Sequence, residues 1–158
     1  MKTLIAMLGL LLFVPVQNSN ADVTDKLIGK WTGTSLASYK DGRKVKSSFV
    51  DVTRRFQSQG FITRSTLTIP GKPLTTVVMR HYDSGKVRGT IVQGGQTLAL
   101  INGTWQINDN TLNVRSKVST LAGDYSQTTR SVLVSKQKLS SLSVATNGIR
   151  TLSTARKK

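Results

Sequence analysis

Cysteine and glutamate are both absent from this 158-residue chain, and histidine occurs once. The first absence excludes a disulfide framework, a thiolate metal site and the acylated N-terminal cysteine of a lipoprotein. The second leaves every acidic side chain to aspartate, so that seven acids face 23 lysines and arginines and the formal net charge is +16. One imidazole, His81, is too few for a zinc site, and no nucleophile with its base and orienting acid can be assembled around it. The expectation is therefore of no catalytic residue, no metal and no cofactor, in a protein that is not an enzyme. Tryptophan is also scarce, with only Trp31 and Trp105.

Long apolar runs are limited to one. It covers residues 4–16 behind the basic start Met1-Lys2, and it is too short to span a bilayer comfortably. Ser19-Asn20-Ala21 then places small residues where a signal peptidase needs them. The pattern predicts a signal peptide over 1–21 and a single mature domain over 22–158, secreted or periplasmic, with no transmembrane segment once the leader is removed. A mature chain of about 140 residues supports one core of ordinary size.

What the chain does have is β-strand pattern. After an apolar spacing at Val23, Leu27 and Ile28 that suits one helical turn, short segments rich in Val, Ile, Thr, Phe and Tyr alternate with Gly, Asn, Asp or Pro clusters. The segments run over 31–39, 44–57, 61–69, 74–82, 86–93, 96–107, 111–119, 125–135, 138–146 and 149–155. Gly94-Gly95 and Asn147-Gly148 are strong hairpin signals, and Pro70-Gly71-Lys72-Pro73 breaks the pattern between two strands. In 44–57 the apolar phase passes from Val45 and Phe49 to Val50, Val52 and Phe56, which predicts a bulge near Ser48 to Val50. Four aspartate contexts, at Asp41-Gly42, Asp83-Ser84-Gly85, Asn108-Asp109-Asn110 and Gly123-Asp124, read as turns. Asp51 lies within a strand, where pairing with Arg54, Arg55 or a cross-strand lysine is expected.

These features predict an all-β fold, an antiparallel up-and-down meander barrel of about eight to ten strands with a short N-terminal helical turn, preferred over a sandwich because adjacent hairpins dominate. Closure also removes exposed sheet edges. Several inward positions are small or polar, among them Thr63, Ser65, Gly89, Gly103 and Ser116, so the barrel need not be filled.

Gly29-Lys30-Trp31, preceded by the helical turn, resembles the Gly-x-Trp start of the lipocalin and calycin barrels. The resemblance implies that Trp31 closes the narrow end of the barrel beneath a basic residue from the last strand, with Arg150 first and Arg156 second for that role. Gly103-Thr104-Trp105-Gln106-Ile107, followed by an Asn/Asp turn, resembles lipocalin-like bacterial domains. The chain lacks a Thr-Asp-x-x-x-x-Tyr motif and a long helix before the last strand. Residues 27–32 are also similar to the opening of avidin-type barrels, but the tryptophan set that grips biotin there is missing.

Two functions follow as expectations. The first is a small amphiphilic or apolar ligand, held in a cavity formed by Trp31, Trp105, Gly103 and Tyr39, with a basic residue at the rim meeting an acidic head; Trp31 reads foremost as a plug. The second is an interaction or adhesion surface for anionic polymers such as polysaccharide, lipopolysaccharide or extracellular DNA, with peripheral contact with an anionic membrane as a related outcome. Lys86, Arg88, Arg115 and Lys117 would project from one sheet face for this purpose, joined by Arg54, Arg55 and Arg64.

Overall fold

Tight turns dictate the topology. At Gly94 and Gly95 both φ angles are positive, 58° and 82°, the geometry that matches a two-residue hairpin to the twist of its strands. The computed structural model describes residues 23–68 and 73–158. The expected leader and cleavage site, and most of the proline-containing break at 70–73, lie outside the described residues. A helical turn over residues 23–27 precedes ten strands: β1 (Gly29–Ser38), β2 (Lys44–Phe56), β3 (Gly60–Thr68), β4 (Leu74–His81), β5 (Lys86–Gln93), β6 (Gln96–Asn108), β7 (Thr111–Thr120), β8 (Gly123–Ser135), β9 (Lys138–Ala145) and β10 (Arg150–Lys157).

Each strand pairs antiparallel with its sequence neighbours, and β1 pairs with β10, so the sheet is a closed meander barrel. The expected fold class is thus the observed one, and the strand limits differ from the sequence segments by only a residue or two. Among the described residues no helix is long and apolar enough to cross a membrane.

The closing seam carries the first residue of note. Trp31 lies opposite Lys157 and is only 2 % exposed. Its indole Nε1 donates to the Leu27 carbonyl at 2.9 Å, tying the helical turn across the barrel end. Lys157 holds its Nζ 5.6 Å from the centre of the Trp31 ring and donates to the Lys26 carbonyl at 3.0 Å. The basic residue over Trp31 is therefore Lys157, not Arg150 or Arg156. The antiparallel register explains why: Arg150 pairs with Ser38 at the far end of β1, and Arg156 is an exposed residue opposite Thr32.

The expected bulge in β2 is absent. β2 keeps an unbroken register with β1 from Lys44 to Thr53, and Val45, Phe49, Asp51 and Thr53 share one phase. Val50 and Phe56 are exposed instead, Phe56 at 42 %. The apolar residues on both faces mimicked a phase change. Register shifts occur elsewhere, between Ile91 and Val92 and between Leu133 and Ser135.

Two apolar clusters share the interior. The larger joins Val23, Leu27, Phe61, Val87, Trp105, Ile107, Leu112 and Val114, and the smaller joins Trp31, Leu133 and Ala155. Gly103 allows the close approach of β7: a β-carbon there would collide with the Arg115 carbonyl. Gly103→Ala should accordingly lower stability by roughly 1–3 kcal/mol through overpacking, read as a fall in the urea midpoint with an unchanged slope.

Candidate functional site

The barrel interior is filled on one side and open on the other. Around β5 to β7, Val87, Ala99, Trp105, Ile107, Leu112, Val114 and Val118 are all buried. Against β1 to β4 and β8 to β10 there remains a cavity of about 340 Å³, which is within the size range of small-molecule sites. Trp31, Leu27, Phe61, Leu112 and Leu139 line it toward the end covered by the helical turn, while Leu67 and Leu74 line it toward the other end. Phe49 adds an apolar wall.

The rest of the lining is polar because the inward phase of β2, β3, β8, β9 and β10 is rich in Ser and Thr. These hydroxyls largely satisfy one another. Thr53 and Thr63 approach at 3.0 Å, Ser141 donates to Ser131 at 2.8 Å, and Thr129 and Ser143 meet at 3.0 Å. Such pairs keep a polar wall stable without solvent.

Asp51 of β2 and Arg80 of β4 are the charged residues of the lining, and they are not fully satisfied. Arg80 donates from Nη1 to the Thr63 hydroxyl at 3.1 Å and lies over the Phe61 ring with its guanidinium carbon 5.3 Å from the centroid. Its Nε and the Oδ1 of Asp51 are buried without a hydrogen-bond partner; the Tyr82 hydroxyl is the third such atom among the described residues. The ion pairs of the described residues link Arg43 to Asp41, Arg55 to Asp25 and Lys117 to Asp124, so no ion pair closes between Asp51 and Arg80. Burial pushes the Asp51 carboxyl above its ordinary pKa, against the opposing pull of Ser65 and Arg80. Burial likewise lowers Arg80 to about 10, only partly offset by the charge of Asp51. Both residues line the cavity and are only partly buried, but the two unpartnered atoms themselves have no accessible surface.

The sequence-based cavity residues separate in the structure. Trp31 lines the cavity. Trp105 does not: it packs edge-on to Phe61 with centroids 5.4 Å apart, and its Nε1 donates to the His81 carbonyl at 3.0 Å. Gly103 lies under β7, and Tyr39 sits at the β1–β2 turn with the Arg43 guanidinium 4.4 Å from its ring centre. Asp51 and Arg80 both line the cavity, from β2 and β4 on either side of β3, whereas Arg54 is exposed and Arg55 is bound to Asp25 of the helical turn. In the sequence Arg80 is marked only by its phase with Leu74 and Thr76, at the end of the apolar run Val77-Val78-Met79.

The basic surface residues are distributed over the barrel exterior. Lys86 and Arg115 flank Thr104, and Arg88 and Lys117 flank Asn102, so these four form a group across β5, β6 and β7. All four are exposed, and Lys117 is paired with Asp124 at 2.6 Å, a contact that lowers the Asp124 pKa together with a hydrogen bond from Ser119. Arg54 lies in the same lateral row as Arg88, across Ile62 and Met79, and Arg64 lies in the next row. Arg55 is removed from this group by its attachment to Asp25.

No protein-family model matches the chain, and no curated protein matches its sequence. Similar folds are found among solved structures. The crystal structure of Rv2717c from M. tuberculosis aligns with a TM-score of 0.62 at 10 % identity, covering 91 % of this chain and 99 % of that one. The S-type phycobiliprotein lyase CPES from Guillardia theta aligns with a TM-score of 0.61 at 11 % identity, covering 90 % and 94 %. A redesigned β-barrel aligns at 0.50 with 13 % identity, covering 86 % and 95 %. At these identities the likeness is one of fold. The chain is a ten-stranded antiparallel barrel that shares its fold with these structures.

Asp51 provides a direct check of the site's electrostatics. Its folded-state pKa is raised, so the stability it contributes is present below the unfolded value of about 4 and is lost as the pH rises through the folded value. Asp51→Asn should raise the melting temperature at pH 7, and the advantage should vanish as the pH is brought below about 4. Thermal unfolding of both proteins across this range, followed by circular dichroism, measures it.

Proposed function

We propose that this chain is an exported binding protein of lipocalin-like kind that holds a small amphiphilic ligand inside the barrel and performs no chemistry on it. The observation that carries this reading is the 340 Å³ cavity, with an apolar floor and mouth and an incompletely bonded charged pair between them. A structural core would fill that volume with side chains, since a cavity costs stability and buried polar groups without partners cost about 1–3 kcal/mol each. A ligand filling the cavity would supply the packing that the side chains leave out. Export rests on the signal-peptide pattern of residues 1–21, which would deliver the domain to the periplasm or the exterior.

Native mass spectrometry of the gently purified protein tests the reading. The expected result is an adduct of defined mass that is lost on denaturation and absent from a Ser153→Phe variant, because Ser153 lines the cavity and Phe would occupy it. An adduct retained by a folded Ser153→Phe protein would place the ligand elsewhere.

A second reading is favoured by the grouping of Lys86, Arg88, Arg115 and Lys117 across three adjacent strands. On this reading the outer face binds an anionic polymer, or an anionic membrane surface, by charge. Affinity for heparin would then fall steeply with salt as counterions are released. Reversing Lys86, Arg88 and Arg115 to Glu should abolish retention while leaving any cavity adduct intact.

A further inference from the structure

On β8, β9, β10 and β1 the hydroxyl-bearing residues Thr129, Ser131, Ser141, Thr151, Ser153 and Ser35 line the cavity. Strand alternation sends their neighbours outward. Three of those neighbours are leucines, and the register sets them side by side: Leu142 of β9 pairs with Leu152 of β10, and Leu152 pairs with Leu36 of β1. A cation closes each end of this lateral row, Arg130 of β8 next to Leu142 and Lys46 of β2 next to Leu36. Val144 adjoins the row on the side of the Asn147-Gly148 turn, with Arg150 beside it and Lys44 beyond Ser38. Leu36, Val144 and Leu152 are 37 %, 49 % and 51 % exposed, and all four cations are exposed.

Single exposed leucines are ordinary on a protein surface, whereas a contiguous apolar row rimmed by polar groups marks a contact site. Strands about 4.8 Å apart gather the three leucines into a band roughly 10 Å wide. Charge selects the occupant. β9, β10 and β1 contain no aspartate, and that of β2, Asp51, lines the cavity; Asp41 in the β1–β2 turn is held by Arg43. A second copy would bring the same cations against this face and be repelled. A hydrophilic polyanion would meet the cations and leave the leucines in water. We infer that this face is a contact site for the surface of an anionic lipid bilayer. The leucines enter the boundary between headgroups and acyl chains, while the long stems of Arg130, Lys46, Arg150 and Lys44 carry their charges back to the headgroup phosphates. The face is separate from the group formed by Lys86, Arg88, Arg115 and Lys117, since β1 and β6 lie five strands apart around the ring of ten. It depends neither on that group nor on a ligand in the cavity.

The test is co-sedimentation of the purified protein with vesicles of phosphatidylcholine alone and of an equal mixture of phosphatidylcholine and phosphatidylglycerol. Wild type should bind the mixed vesicles, more weakly as salt rises, and should not sediment with phosphatidylcholine alone. Leu36→Thr combined with Leu152→Thr keeps the net charge and the strand preference, and should weaken binding about ten-fold or more. The control is Leu98→Thr combined with Leu100→Thr on β6, where both leucines are exposed but Leu100 stands between Thr90 and Ser119; its binding should equal that of wild type. Contact is also read directly in Leu152→Trp, whose emission should shift to the blue on adding mixed vesicles, while that of Leu100→Trp should not. Equal loss in the two double variants, no loss in Leu36→Thr with Leu152→Thr, or equal shifts in the two tryptophan variants overturns the site. Failure of wild type to bind the mixed vesicles overturns it too, and a dimer dissociated by Leu36→Thr with Leu152→Thr would then assign the row to a second copy.

Discussion

Everything in this barrel depends on the seam between β1 and β10. Eight consecutive residues of β1, from Trp31 to Ser38, pair with β10, and this removes the two edges an open ten-stranded sheet would expose. The seam is also where the end of the barrel is sealed. Trp31 reaches the helical turn through its indole N–H, and Lys157 reaches the same turn from the opposite strand. The cavity has a floor because these contacts hold the turn over that end of the barrel.

Much of the architecture was legible in the sequence because β-hairpins announce themselves locally. Asn147-Gly148 and Gly94-Gly95 fix turns, and alternation in 86–93 and 111–119 fixes faces; both sets stand in the structure as read. Alternation failed in β2, where Val50 and Phe56 point outward and Asp51 and Thr53 point inward. A hollow barrel weakens the usual rule that the apolar side is the inner one, since its cavity wall tolerates polar residues that satisfy each other. The partner of Trp31 differs from the expected Arg150 for a different reason: antiparallel pairing brings the start of the first strand to the end of the last.

The site was less legible than the fold. Trp31 lines the cavity, whereas Trp105 and Gly103 belong to the packed half, where the indole hydrogen bond to the His81 carbonyl and the passage of β7 leave no room. Asp51 stands out in the sequence as an acid within a strand, for which Arg54, Arg55 or a cross-strand lysine are the expected partners. Its real counterpart, Arg80, lies 29 positions along the chain, and only the three-strand arrangement of β2, β3 and β4 brings them to one cavity. Charge composition pointed outward to Lys86, Arg88, Arg115 and Lys117, while the least satisfied polar atoms lie within.

The same seam has a consequence for how the molecule is made. Its partners are drawn from the beginning and the end of the described chain, Trp31 opposite Lys157, so the contact that completes the sheet spans nearly all of it. Hairpins can form in sequence from short loops, yet none of them closes the barrel until β10 docks on β1, and such distant pairings raise contact order and slow folding. Until that docking, β1 remains an unpaired edge rich in threonine and serine. The final strand thus acts as a completion signal: the cavity comes into existence only with the last pairing, as a property of the whole chain rather than of any segment.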